Sequence, residues 1–281
     1  MKMPADIEIC FMIDFKKNHE IPSVCKRIYF GNETCEKLLP KYDEISDLLN
    51  VSDKKNIELT FVSPFLSEKG VEKTVLLLDK LKSAKGQIEV VSSDWGLINW
   101  MVSNKAGIPI ISRFLVGQQV DFRLSQIGEK ASKQVILMNG KYYLLTTEDF
   151  SDKMKAHLES CALLKKESLD MFSSMGINRI ELSNIQRPIR LPDNKKFHFS
   201  LHVPFIPLTI FRSCPEAFDF NEIKKSCYAL NCNNNRSKWL HDKTGKEIYW
   251  RDNALYYCNH DDKSQININK SIDRIIYSEI F

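Results

Sequence analysis

The stretch IELTFVSPFLSEKGVEKTVLLLDKLKSAKGQIEVVSSD (57–94) decides the fold class. It opens with IELTFVSPF (57–65), an apolar run of strand length. VEKTVLLLDKLKS (71–83) follows, rich in helix formers, with apolar side chains at Val75, Leu78 and Leu81. IEVVSSD (88–94) closes it as a second strand. Strand, helix and strand at these lengths make a βαβ unit, which needs a parallel sheet.

The same grammar extends both ways. IEICFMIDF (7–15) and KRIYFG (26–31) read as strands upstream. A short helix, LINWMVSNK (97–105), and three further strands follow: IPIISRFL (108–115), INRIEL (177–182) and HFSLHVPFIPL (198–208). Several are apolar at consecutive positions, as parallel strands covered on both faces must be. Six or seven such units point to an α/β fold, a TIM-like (β/α) barrel, incomplete or irregular because the count falls short of eight. VILMNGKYYLLT (135–146) reads as a hairpin turning at Asn139-Gly140. A long helix is expected over 151–175, with Leu158, Cys161, Leu169 and Phe172 near one face. After residue 210 the pattern changes. A polar, cysteine-bearing loop leads into KWLHDKTGKEIYWRDNALYYC (238–258), read as two strands around a turn at Gly245. The expected organisation is a barrel over 1–210 and a cysteine-bearing loop with a small β appendage over 211–281, packed as one domain.

Composition narrows the function classes. Apolar residues make up 43% and charged residues 27% of the 281, the balance of a soluble globular protein. The net charge of +4 is too small and too evenly spread to argue for nucleic acid by itself. No apolar run is long enough to span a membrane. In MKMPADIEICFMIDF (1–15), acidic residues interrupt the apolar run, so a signal peptide is not expected. The expected compartment is therefore the reducing cytoplasm, where clustered cysteines more often bind metal or catalyse than form disulfides.

There are eight cysteines. Cys10 sits in an apolar strand and Cys161 on an apolar helix face, both as small core hydrophobes. Cys25 is open between core and function. Cys35, in GNETC (31–35), follows a strand end, which in a parallel barrel is the functional rim. Cys214, Cys227 and Cys232 follow the last strong strand, separated by twelve and four residues. Zinc fingers and ribbons use tighter pairs. Iron–sulfur clusters take four thiolates from distant loops, and Cys35 with these three makes four. Arg212, Lys224, Lys225 and Arg236 lie close in sequence and offset cluster charge. A [4Fe–4S] cluster is thus the first reading and zinc the second. Cys258, in LYYCNHD (255–261), is the alternative fourth ligand.

Several of these stretches together resemble the collagenase-like peptidase U-32 family, and most nearly its UbiU/UbiV-like branch. RIYFGNETC (27–35) resembles the branch's strand ending in Y-x-G-x-x-x-C, with Cys35 at the cysteine position. IEVVSSDWGLIN (88–99) resembles the segment ending in D-x-G, here Asp94 and Gly96. IPLTIFRSC (206–214) resembles the segment ending in R-C, and the gap from Cys214 to Cys227 matches as well. The gap from Cys227 to Cys232 is one residue longer than in that branch. The resemblance spans about residues 5 to 258. It implies a TIM-like barrel carrying an oxygen-sensitive [4Fe–4S] cluster on Cys35, Cys214, Cys227 and Cys232. It implies a redox or accessory role in oxygen-independent hydroxylation of the ubiquinone-biosynthesis type, with a paralogous subunit of the same family as partner. Other branches are associated with RNA hydroxylation, which leaves an RNA partner open, and some members carry the peptidase label.

Two further residues are candidates for contact with a small-molecule substrate. Asp94 ends a strand, where substrate-facing residues belong, although an aspartate there equally caps the following helix. Arg113 ends the next strand and can meet an anionic ligand or pair with Asp94. A peptidase reading finds no HExxH and no GxSxG. A cysteine protease would need Cys214 to meet His202 or His198.

Overall fold

A computed structural model describes residues 7–14, 20–118, 120, 134–138, 141–145, 159–185, 189–211, 236–241, 245–259 and 271–278. Eight parallel strands close into a barrel: β1 (Glu8–Met12), β2 (Arg27–Gly31), β3 (Glu58–Ser63), β4 (Glu89–Ser92), β5 (Ile108–Ile111), β8 (Arg179–Ser183), β9 (His198–Val203) and β14 (Ile272–Ser278). β14 lies between β9 and β1 and completes the ring. The expected TIM-like barrel is present, and it is complete.

Alternation along each strand builds two cores. Ile28, Phe30, Leu59, Phe61, Val90, Phe199 and Leu201 point outward into a large cluster with the helices. Cys10, Tyr29, Val62, Val91, Ile110 and Ile276, from six strands, meet in a smaller cluster that lines the lumen. The covering helices are α1 (Ser46–Lys55), α2 (Glu68–Lys85), α3 (Trp95–Asn104) and α4 (Lys166–Ser174). Leu78 and Leu81 are buried, as their spacing in the sequence requires, while Val75 is partly buried against the same cluster. Among the described residues no helix is long and apolar enough to cross a membrane.

The domain boundary drawn from sequence is corrected. The run HFSLHVPFIPL divides at Pro204: β9 ends in the barrel and β10 (Phe205–Ile210) starts a second sheet. Proline has no N–H for a ladder, which suits it to such a break. The second sheet has the order β10, β13 (Ala254–Cys258), β12 (Glu247–Arg251), β11 (Arg236–Leu240), all antiparallel. The region around Gly245 therefore holds three strands, not two. This sheet is inserted between the seventh and eighth barrel strands, because β14 returns to the barrel.

The hairpin β6 (Gln134–Met138) and β7 (Lys141–Leu145) forms as expected, and its Asn139-Gly140 turn lies outside the described residues. The helix expected over 151–175 is interrupted: Glu159 is helical, and the chain then leaves the helix before Lys166. Residues 151–158 lie outside the described set, and α4 begins only at Lys166. Cys161 has extended backbone and bridges to Gln118, which takes it out of any helix. It is nevertheless buried, as are Cys10 and Cys25, so all three are core cysteines. Burial pushes the Cys161 thiol up to about 12 and raises Cys10 and Cys25 as well, which keeps them protonated and unreactive.

Candidate functional site

The open end of the lumen lies at the C-terminal ends of the strands, where barrel enzymes work. A pocket there is lined by Met12 and Ile13 at the end of β1, Gly31 to Thr34 at the end of β2, Ser278 of β14, and Arg251, Asp252 and Tyr256 of the second sheet. The inserted sheet thus forms one wall of the barrel mouth.

Asn32 organises the wall. Its side-chain oxygen accepts the backbone N–H of Thr34 at 2.8 Å and of Cys35 at 2.7 Å, and its amide donates to Asp252 at 3.2 Å. Glu36 then fixes the other flank of Cys35. Its carboxylate accepts the backbone N–H of Ser67 at 2.7 Å and the Ser67 hydroxyl at 3.0 Å, at the start of α2. Cys35 is therefore a half-exposed residue held between two anchors at the rim, where the sequence placed it.

The Asp252–Asn253 turn holds the departing end of the cysteine-bearing segment, and Arg251 just before it pairs with the returning end. Phe211 donates its N–H to Asn253 O at 2.7 Å and accepts from the Asn253 amide at 2.7 Å. Arg236 pairs in register with Arg251. The chain thus departs toward Cys214 and returns after Cys232 at the end of the sheet that touches Asn32. Cys214, Cys227 and Cys232 themselves lie outside the described residues, as do Arg212, Lys224 and Lys225. Cys258 is at the opposite end of β13, paired with Phe205, and buried in an apolar cluster with Tyr249, Ala254 and Tyr256. Four residues of strand separate it from the turn, about 17 Å. Among the described residues no three His, Cys, Asp or Glu side chains converge as a metal site.

Asp94 and Arg113 take the structural roles. Asp94 caps α3, accepting the Leu97 N–H at 3.0 Å, and its second oxygen accepts from Leu66 N. Arg113 does not pair with Asp94. It donates two bonds to Glu33, at 2.9 and 2.7 Å, and one to Phe205 O at 2.8 Å. Its guanidinium is fully buried against a carboxylate that is 8% exposed, so the pair neutralises itself beneath the pocket.

One pair was not read from sequence. Glu181 on β8 and His202 on β9 meet inside the barrel at 2.8 Å, each 1% exposed. The signal was present: a glutamate in INRIEL and a histidine in HFSLHV stand at lumen-facing positions of otherwise apolar strands. Burial pushes the Glu181 carboxyl up to about 7, opposed by the guanidinium groups of Arg113 and Arg274 and the Tyr29 hydroxyl. Burial, with the charge of Arg113, holds His202 well below the usual imidazole range, opposed by Glu33. The histidine is neutral and the glutamate titrates near neutrality.

That sets a sign for stability. Between its unfolded value near 4.5 and its folded value near 7, Glu181 binds more proton folded than unfolded. Stability from this group therefore falls as pH rises through that window. Relative to a Glu181→Gln variant, the wild-type protein is expected to lose about 2–3 kcal/mol between pH 5 and pH 8. Urea unfolding of both chains at the two pH values measures it; parallel curves would refute it.

No protein-family model matches the sequence, and no curated protein matches it. Among solved structures, the chain is similar to the U32 peptidase Mk0906, with a TM-score of 0.44 and 11% identity over 99% of this chain and 95% of that one. It is also similar to a glycoside hydrolase family 18 N-acetylglucosaminidase from Paenibacillus barengoltzii, with a TM-score of 0.36 and 9% identity over 96% and 94%. Both are likenesses of fold.

Proposed function

We propose that the chain is an iron–sulfur protein of the U-32 peptidase-like type, carrying a [4Fe–4S] cluster on Cys35, Cys214, Cys227 and Cys232. One observation carries this reading. The Asp252–Asn253 turn bonds the departure at Phe211 of the segment bearing three cysteines and also bonds Asn32, which fixes Cys35, while the adjoining strand residue Arg251 pairs with the return at Arg236. The donor set suits the group: four thiolates are what such a cluster takes, and the half-exposed Cys35 differs from the buried core cysteines. Cys258 fits less well, being packed among aromatic rings at the far end of the sheet.

A cluster on four thiolates supplies one-electron transfer. The chain's own residues position it: Asn32 and Glu36 hold Cys35 from both sides, and the self-neutralised Arg113–Glu33 pair keeps the neighbouring interior uncharged overall. The sequence resemblance supports a redox or accessory role in oxygen-independent hydroxylation of the ubiquinone-biosynthesis type, acting with a paralogous U-32 subunit.

Purification under anaerobic conditions, with iron, sulfide and zinc quantified, tests the reading. About four irons and four sulfides per chain are expected. Cys35→Ala should lose the cluster and Cys258→Ala keep it. Zinc without iron, even after anaerobic reconstitution, would sink the proposal. Mass spectrometry of quinones and RNA nucleosides from anaerobic cells with and without the chain then separates a quinone substrate from an RNA one.

A further inference from the structure

We propose that Glu181 and His202 form a general acid–base site in the barrel lumen, in which His202 Nδ1 meets a hydroxyl or amide N–H of a small neutral ligand admitted through the rim pocket. This does not rest on the cluster.

The lumen carries two polar sets, and they differ. At the N-terminal end, Glu8, Arg27, Glu89 and Arg274 satisfy one another: Arg27 bonds Glu8 at 2.8 Å, and Arg274 reaches Glu8 at 2.6 Å and Glu89 at 2.7 Å. That is a structural plug. In the layer above, His202 Nδ1 and Glu181 Oε1 are buried with no hydrogen-bond partner among the described residues, and the Tyr29 hydroxyl stands beside the same carboxyl group. Each such atom is destabilising if nothing meets it. Neighbouring strands place Cys10, Val62, Val91, Ile110 and Ile276 in the same lumen, so apolar side chains fit there. With Nε2–H donated to the Glu181 carboxylate, Nδ1 and Oε1 are both acceptors, which points to an occupant that donates.

The pocket lies directly above. His202 pairs in register with Ile276, and the next lumen-facing residue of β14 is Ser278, which lines the pocket. That is one side-chain layer, about 7 Å. Glu33 and Tyr256 line the pocket too, and the charge of Glu33 is felt at His202. The charges facing the dyad are Arg113 after β5, Glu33 after β2, Arg274 on β14 and Glu89 on β4, with the Tyr29 hydroxyl on β2. The pocket's carboxylates face cations, Glu33 with Arg113 and Asp252 with Arg251 at 3.6 Å. Its other polar groups are the amide of Asn32 and the hydroxyls of Thr34, Tyr256 and Ser278. This lining suits a neutral ligand with hydroxyl or amide groups.

The proton balance is simple. Nδ1 takes a proton from the ligand, so one O–H or N–H bond breaks and one Nδ1–H bond forms. The resulting imidazolium passes its Nε2 proton to Glu181, which ends as a carboxylic acid beside a neutral imidazole. Reversal returns the proton. No oxidant or reductant is needed.

Diethyl pyrocarbonate, a small electrophile that acylates neutral imidazole, reads both access and basicity. Peptide mapping after treatment of the folded protein is expected to show His202 acylated, with half-exposed His198 as the internal control. Ser278→Phe, which plugs the pocket, should slow His202 at least tenfold and leave His198 unchanged. Glu181→Gln should slow it several-fold and flatten its pH profile near neutrality. If Ser278→Phe fails to fold, Met12→Phe blocks the same pocket. The proposal is overturned if His198 reacts to completion while His202 stays unmodified, or if His202 reacts equally fast in the plugged variant.

Discussion

Arg274→Met is expected to cost about 3–5 kcal/mol, the largest loss from any single charge in the barrel. Arg274 is 2% exposed and lies on the closing strand. Its guanidinium bonds Glu8, both oxygens of Glu89 and the hydroxyl of Tyr29, which accepts at 2.9 Å. It holds the Glu89 carboxyl below the usual range against a burial effect that pushes the other way. Removing the cation leaves Glu89 buried with Arg27 at 3.3 Å as its nearest remaining counter-charge and Arg179 as a further one. A buried charge stripped of its partner costs far more than the pair was worth, because desolvation is no longer offset. Two signs distinguish this from lost packing. Arg274→Met should regain stability on acidification, as Glu89 protonates, and the double variant Arg274→Met, Glu89→Gln should recover much of the loss. Urea unfolding of the three variants decides it; a loss unaffected by pH or by the second substitution would mean that packing dominates.

Gly31→Ala is expected to cost about 4 kcal/mol or more. The residue has φ +118°, outside the range of L side chains, and an added Cβ would lie 2.2 Å from the carbonyl oxygen of Val62 on the next barrel strand. Both atoms belong to backbone, so neither can swing away. The same Val62 oxygen accepts the N–H of Asn32 at 3.1 Å. Relieving the collision therefore moves Asn32, and with it Cys35. Gly86, at φ +75° and ψ −148° with open space around it, is the control; alanine there meets strain without collision and should cost about 1–3 kcal/mol. Equal losses at the two positions would show that the contact with Val62 is unimportant. Cluster content adds a second readout: Gly31→Ala should impair reconstitution and Gly86→Ala should not.

Much of the barrel was legible because each strand carries its own burial pattern. The 57–94 unit reads as strand, helix and strand without reference to anything distant. β14 was missed for a physical reason. IDRIIYS contains Asp273 and Arg274, which look solvent-bound until Glu8 and Glu89 are placed opposite Arg274. Those partners are far away in the chain, so no local window contains the neutralisation. The Arg113–Glu33 pair escaped likewise, and Arg113 was matched to its sequence neighbour Asp94. The capping role of Asp94 was legible because capping is local. Cys35 was placed at the rim by strand direction alone, while its tie to the Phe211 turn runs through Asn32 and Asp252, which carry no motif.

The barrel closes between its first and last strands in the chain. During synthesis β1 emerges early and stands beside β2 with its other edge bare until β14 follows. Its ladder partner is missing while the helices, the inserted sheet and the cysteine-bearing segment are made. The polar plug shares this delay, since Glu8 and Glu89 receive Arg274 only with the final strand. Lumen and mouth thus become a single enclosed space in one late, long-range step. Until that step a nascent chain exposes an unpaired parallel edge, the kind of surface that chaperones bind and that other chains can extend.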